Sequence, residues 1–134
     1  MKSNSVLVID NDEEFLTFAL DFLSVGVEFN QVVLAGSSEE AELKIKTYNP
    51  DIVILDLGMQ GSGKISSIIK NIPNSPLLLM TSYYDNKDYI NLITEMGANG
   101  FFLKDEVKTA LPKLIGFFKS DFYDLLRNNL YIMN

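Results

Sequence analysis

Asp51-Ile52-Val53-Ile54-Leu55-Asp56 is a short, mostly β-branched apolar run that closes on a carboxylate. A strand with one wet face alternates apolar and polar residues. An unbroken run of this length reads instead as a strand covered on both faces, which is the habit of parallel sheets. The same pattern recurs outward in both directions. Val6-Leu7-Val8-Ile9 stops at Asp10, Leu77-Leu78-Leu79-Met80 stops at Thr81-Ser82, and Gly100-Phe101-Phe102-Leu103 stops at Lys104. Gln31-Val32-Val33-Leu34-Ala35 is the remaining strand of this kind and ends on no such group.

Amphipathic stretches fill the intervals. From Glu13 to Leu23, Phe15, Leu16, Ala19, Phe22 and Leu23 recur at helical spacing behind an acidic first turn. Ser37 and Glu40 have the spacing of a capping box, and the helix they open ends near Asn49-Pro50. Gly58, Gly61 and Gly63 read as a loop before a short helix from Ile65 to Ile72, closed by Pro73-Asn74-Ser75-Pro76. Asp88 to Met96 reads as a helix with Gly97 beyond its end, and Val107 to Phe118 as a fifth, provided Pro112 lies in its first turn. Five strand–helix repeats predict an α/β fold. It is a doubly wound, three-layer (βα)5 sandwich with a parallel five-stranded sheet in the order 2-1-3-4-5.

A chain of 134 residues fits one domain. With no Cys and no His, it excludes disulfide scaffolds, Cys- or His-based zinc sites and imidazole catalysis, and it fits a reducing, cytoplasmic setting. The formal net charge of −7 disfavours direct nucleic-acid binding. No secretory signal and no apolar run of membrane-spanning length is visible in the sequence.

Ligands of open parallel sheets bind outside the carboxyl ends of the strands. In the expected order, the strands ending at Asp10, Asp56, Thr81 and Lys104 lie side by side. A polar residue at one strand end is commonplace, but four on adjacent strands point to a site. Two carboxylates facing one cleft repel unless a cation lies between them, and oxygen donors suit Mg2+. An ammonium suits a phosphate oxygen, a hydroxyl can donate to another, and an ionised Asp is a competent nucleophile. The set reads as an aspartate that receives phosphate with metal and ammonium support.

VLVIDNDE, DIVILDLGM, PLLLMTS and GANGFFLKD, in this order, resemble the receiver domain of two-component response regulators. The resemblance runs from about Val6 to Lys119, and GANGFFLKD is similar to receivers of the nitrate-regulator type. It implies a CheY-like, flavodoxin-like fold over residues 1–119. It also implies a phosphoacceptor at Asp56, a metal site from Asp10, Asn11, Asp56 and the backbone carbonyl of Gly58, and supporting roles for Thr81 and Lys104. Thr81 and Phe101 match the family's switch positions. The implied cofactor is Mg2+. The implied partners are a sensor histidine kinase or phosphotransfer protein, and a second copy through the face of the fourth helix, fifth strand and fifth helix.

The sequence departs from the family at several points. Asn11 stands where the family has a second acid, so metal affinity should fall; Asp12 either compensates through water or simply caps the first helix. Gln60 replaces a usual Pro, the loop to Gly63 is one residue short, Ser82 replaces a small residue, and Asp105 replaces a frequent Pro. Residues 120–134 form a C-terminal extension or linker stub whose Phe122, Leu125, Leu126, Leu130 and Met133 mark one helical face. Nothing in the sequence resembles an output domain. Two other functions compete. One is a receiver-like interaction module that works without phosphorylation. The other is a haloacid-dehalogenase-like phosphatase with Asp10 as nucleophile and Asp12 as acid–base, which lacks a second acidic motif. An FMN carrier is disfavoured because Asn11-Asp12-Glu13-Glu14 would repel its phosphate.

Overall fold

The computed structural model describes residues 5–26, 29–84, 87–118 and 131–133. Its strands are β1 (Ser5–Ile9), β2 (Gln31–Ala35), β3 (Ile52–Asp56), β4 (Leu77–Ser82), β5 (Gly100–Leu103) and β6 (Tyr131–Met133). The helices are α1 (Glu13–Gly26), α2 (Ser38–Tyr48), α3 (Ser62–Lys70), α4 (Lys87–Glu95) and α5 (Val107–Phe118). Every strand pair is parallel, and the sheet order is β2-β1-β3-β4-β5-β6. The expected five-strand order is present with one strand added at its end.

Every residue of β1, β3 and β4 is buried, which is why these runs carry no polar alternation. Successive side chains go to opposite faces. Val6, Val8, Ile54, Leu79 and Phe102 pack with Phe15, Leu16, Ala19 and Leu23 of α1 and with Ala110, Leu111 and Leu114 of α5. Leu7, Ile9, Val53, Leu55 and Met80 pack on the other side with Ala41 and Ile45 of α2, Ile65 and Ile69 of α3 and Ile93 of α4. The three layers follow from this division.

Helix ends follow local chemistry. Ser37 Oγ accepts the Glu40 amide at 3.2 Å, and Glu40 Oε1 accepts the Gly36 amide at 2.9 Å, so the capping box reaches one residue further back than its usual form. Asn49 closes α2 at φ 47°. Gly61 has φ 88°, and a Cβ there would lie 2.8 Å from Ser38 Cβ, so both backbone and space require glycine. α3 starts immediately after it, which puts Gly63 in the first helical turn rather than in the loop.

Two expectations are corrected. Pro112 lies inside α5, past the first turn, where it takes a hydrogen-bond donor from the carbonyl one turn back. Met133 belongs to strand β6 rather than to a helical face. Gly100 pairs with Tyr131, Phe101 with Ile132 and Phe102 with Met133. The other members of that face, Phe122, Leu125, Leu126 and Leu130, lie outside the described residues. β5 therefore has a neighbour on each side, and α5 is the crossover of a further βαβ unit.

Candidate acidic site at the sheet rim

The strand ends bring the chemistry together. β1 continues its pairing through the Asp10 amide, which donates to Ala35 O at 3.0 Å. Asp56 is the last residue of β3 and lies in register with Thr81 of β4. The Leu57 amide donates to Thr81 O at 2.8 Å, so the two strands stay zipped past the carboxylate. Lys104 opens a short 3-10 turn directly after β5. All four residues are buried at the same end of the sheet.

Lys104 Nζ lies 2.6 Å from Asp10 Oδ2 and 3.4 Å from Asp56 Oδ1. The contact with Asp10 is a buried ion pair, and among the described residues Asp10 Oδ2 has no other polar partner. Asp10 Oδ1 accepts the Asp12 amide at 2.9 Å, and Asp56 Oδ1 accepts the Gly58 amide at 3.3 Å. Burial pushes the Asp10 carboxyl above its ordinary value, outweighing the Lys104 ammonium and the Asp12 amide that oppose it; the Asp56 charge adds to the rise. Burial also works against the Lys104 ammonium, but Asp10 and then Asp56 outweigh it and hold the Lys104 pKa above the usual lysine value.

Thr81 is fully buried, and among the described residues its Oγ1 has no hydrogen-bond partner. A buried, unmatched hydroxyl is costly, and such groups recur where a ligand completes the bonding. Gly58 runs close beside Asp56, since a Cβ on it would stand 3.9 Å from both carboxylate oxygens.

Asn11, next in sequence to Asp10, is exposed. Asp12 behaves as a helix cap: its Oδ1 accepts the Glu14 amide at 3.0 Å, which engages it otherwise than a phosphatase acid–base would require. Phe101 is buried on the opposite face of the sheet, in the cluster with Met80 and Ile93.

Tyr83 and Phe15 were not legible as site residues. The Lys104 ammonium lies 4.7 Å from the Tyr83 ring centroid and 5.0 Å from that of Phe15. Tyr83 OH donates to Asp12 Oδ2 at 3.1 Å. Phe15 carries an ordinary core signal on α1. Tyr83 sits in a turn, and its partner is 71 positions away in the sequence.

The donors facing the pocket are hard oxygens, a set that suits Mg2+. Among the described residues no group of three or more His, Cys, Asp or Glu forms a metal cluster. A cation here would draw on the Asp10 and Asp56 carboxylates, supplemented by neutral oxygens and water. The buried, otherwise unpartnered Asp10 Oδ2 fits that demand.

Fold and pocket together define a doubly wound α/β domain with an acidic, lysine-bearing site at the carboxyl rim of its sheet. The response regulator receiver domain family matches residues 6–116, and the chain belongs to that family, the receiver domains of two-component response regulators. It is 27% identical over 113 residues to the transcriptional regulatory protein DegU of Brevibacillus brevis, covering 82% of this chain and 48% of that protein. It is 35% identical over 75 residues to the oxygen regulatory protein NreC of Staphylococcus carnosus, covering 53% of this chain and 34% of that one. The chain thus spans about half the length, or less, of these curated relatives. Among solved structures, the signal receiver domain of a DNA-binding response regulator from Colwellia psychrerythraea 34H superposes with a TM-score of 0.80 at 27% identity, covering 87% of this chain and 98% of that one. The non-phosphorylated receiver domain of RcsB from Escherichia coli superposes with a TM-score of 0.80 at 18% identity over 99% of this chain and all of that one, a likeness of fold alone. Among the described residues no helix is long and apolar enough to cross a membrane.

Proposed function

We propose that Asp56 is the phosphoacceptor of this receiver domain. The observation that carries the reading is the Lys104 ammonium within 3.4 Å of Asp56 and 2.6 Å of Asp10, beside a buried Thr81 hydroxyl that lacks a partner. The donor is a phosphohistidine on a sensor histidine kinase or phosphotransfer protein, since this chain has no His. An Asp56 carboxylate oxygen attacks phosphorus, the P–N bond to the donor imidazole breaks, and the imidazole keeps the electron pair. Lys104 neutralises charge on the phosphoryl oxygens, and the Thr81 hydroxyl donates a hydrogen bond to one of them. Water later cleaves the acyl phosphate and restores the carboxylate, so the chain's own catalysis is confined to gaining and losing its phosphoryl group. Asp10, Asp56, the Gly58 carbonyl and the Asn11 amide would hold Mg2+, which would supply further charge neutralisation. Its affinity is weakened because Asn11 brings no charge.

Phosphorylation adds about two negative charges beside Lys104 and Thr81. Displacement of Thr81 toward them repacks β4 against β5, where Phe101 is already inward. The changed surface is the one formed by α4, β5 and α5, through which the protein self-associates. We place the protein in the cytoplasm, with no direct contact to nucleic acid by this chain. Exposed, neutral Asn11 favours a second reading, an interaction module that no longer takes phosphate. Incubation with acetyl phosphate and Mg2+, followed by intact mass, separates the two. The expected result is one added phosphoryl on wild type and none on Asp56→Ala. Unmodified wild type under conditions that modify a known receiver overturns the first reading.

A further inference from the structure

The Lys104 ammonium is enclosed by two carboxylates and two aromatic rings, and one of those rings is tethered. Tyr83 follows β4 by one residue, and the Tyr84 amide binds Ser82 Oγ at 3.0 Å, which turns the chain there. The Tyr83 ring lies over the ammonium at 4.7 Å, and its hydroxyl donates to Asp12 Oδ2 at 3.1 Å. Asp12 in turn donates its amide to Asp10 Oδ1 at 2.9 Å, and Asp10 Oδ2 meets the ammonium at 2.6 Å. The contacts close a ring: Tyr83, Asp12, Asp10, Lys104 and back to Tyr83. Tyr83 remains 48% exposed, so its outer side is in solvent while its inner side covers the lysine.

We propose that Tyr83 is a positioning residue for Lys104. The Asp12–Tyr83 bond fixes the ring on the ammonium and holds that ammonium on the Asp10 side of the pocket, farther from Asp56. A phosphoryl group on Asp56 draws the ammonium the other way. Closure of this latch and modification of Asp56 therefore oppose each other, and by linkage each weakens the other. The physical cause is local. A cation stacked on a ring and bound to one carboxylate loses part of that interaction on moving toward a second. The proposal deepens the phosphoacceptor reading and rests on it for its consequence, but the placement of Lys104 is testable by itself.

The experiment uses wild type, Tyr83→Phe and Tyr83→Leu, with folding checked by circular dichroism. The first readout is the NMR shift of the Lys104 ε-methylene protons without any phosphodonor. Ring current should hold them upfield in wild type. The shift should be reduced in Tyr83→Phe, where the ring is kept but untethered, and reduced further in Tyr83→Leu, where only the Phe15 ring at 5.0 Å remains. The second is phosphoryl incorporation from acetyl phosphate, expected about 3- to 10-fold faster in Tyr83→Phe, as loss of one partly exposed charge-assisted hydrogen bond implies. Unchanged Lys104 shifts in Tyr83→Leu overturn the proposal. So does an unaltered rate in Tyr83→Phe when wild type is modified. If wild type takes no phosphoryl group, the functional reading fails while the Lys104 shifts still decide the placement.

Discussion

Lys104 and Asp10 form a buried ion pair at 2.6 Å, with only 3% and 1% of their side chains exposed. Lys104 also stands 3.4 Å from Asp56, so one cation serves two carboxylates. Removing one member of a buried pair leaves charge that nothing compensates. Lys104→Met should lower unfolding free energy by about 3 kcal/mol in metal-free buffer. Adding Asp10→Asn should recover most of the loss. Urea denaturation of the single and double variants checks this, and an unaffected single variant would contradict the pairing.

The pH dependence has a definite sign. Burial raises the folded-state pKa of Asp10 above 3.8, so its contribution is complete below that value and is lost as pH rises through the folded-state value. Asp10→Asn mimics the protonated form. Relative to wild type, it should gain stability on going from about pH 4 to about pH 7. Lys104 is also raised, so the stability it contributes is present below 10.5 and falls as pH climbs through its folded-state pKa. Melting curves at several pH values report both slopes.

Thr81→Val replaces a buried, unpartnered hydroxyl by a methyl group of similar shape. Removing such a group should stabilise the unmodified protein by about 1 kcal/mol. It should also blunt the response to beryllium fluoride with Mg2+, seen as smaller amide shifts around residues 81 and 101. A destabilised variant that responds fully to the analogue would mean that Thr81 Oγ1 is satisfied in the folded protein and takes no part at the site.

Asn11→Asp restores a charge at the exposed position next in sequence to Asp10. Even largely screened by water, an added carboxylate near a divalent ion should tighten Mg2+ binding by about tenfold. Titration calorimetry of the two proteins measures the difference. Equal affinities would place residue 11 outside the cation's reach.

Deleting the chain from Tyr131 onward uncovers the outer edge of β5. An unpaired edge is a template for another strand. Sedimentation equilibrium should then show more dimer than the full chain at equal concentration. Two identical, monomeric profiles would argue that β6 shields nothing.

Much of this architecture was written in the strand runs. Ile52–Leu55 and Leu77–Met80 are apolar because helices cover both faces, and the same burial fixes where their polar ends emerge. The site residues at those ends were legible for that reason. β6 was not. Three residues carry too little pattern, and Met133 also continues the helical spacing from Leu130; the open edge of β5 decides the state of Tyr131–Met133. Pro112 misled in the other direction: α5 starts at Val107, as its sequence indicates, and tolerates the lost donor past its first turn. Tyr83 left no local trace, since only the fold brings it to Asp12 and Lys104.

The chain contains six tyrosines and no tryptophan. Its near-ultraviolet absorption therefore comes mainly from phenol rings, and one of those rings rests on the ammonium at the centre of the site. Any event that shifts Lys104 changes the field across that chromophore. Tyr83 is thus a built-in optical probe of the pocket, readable by difference absorbance without an added label.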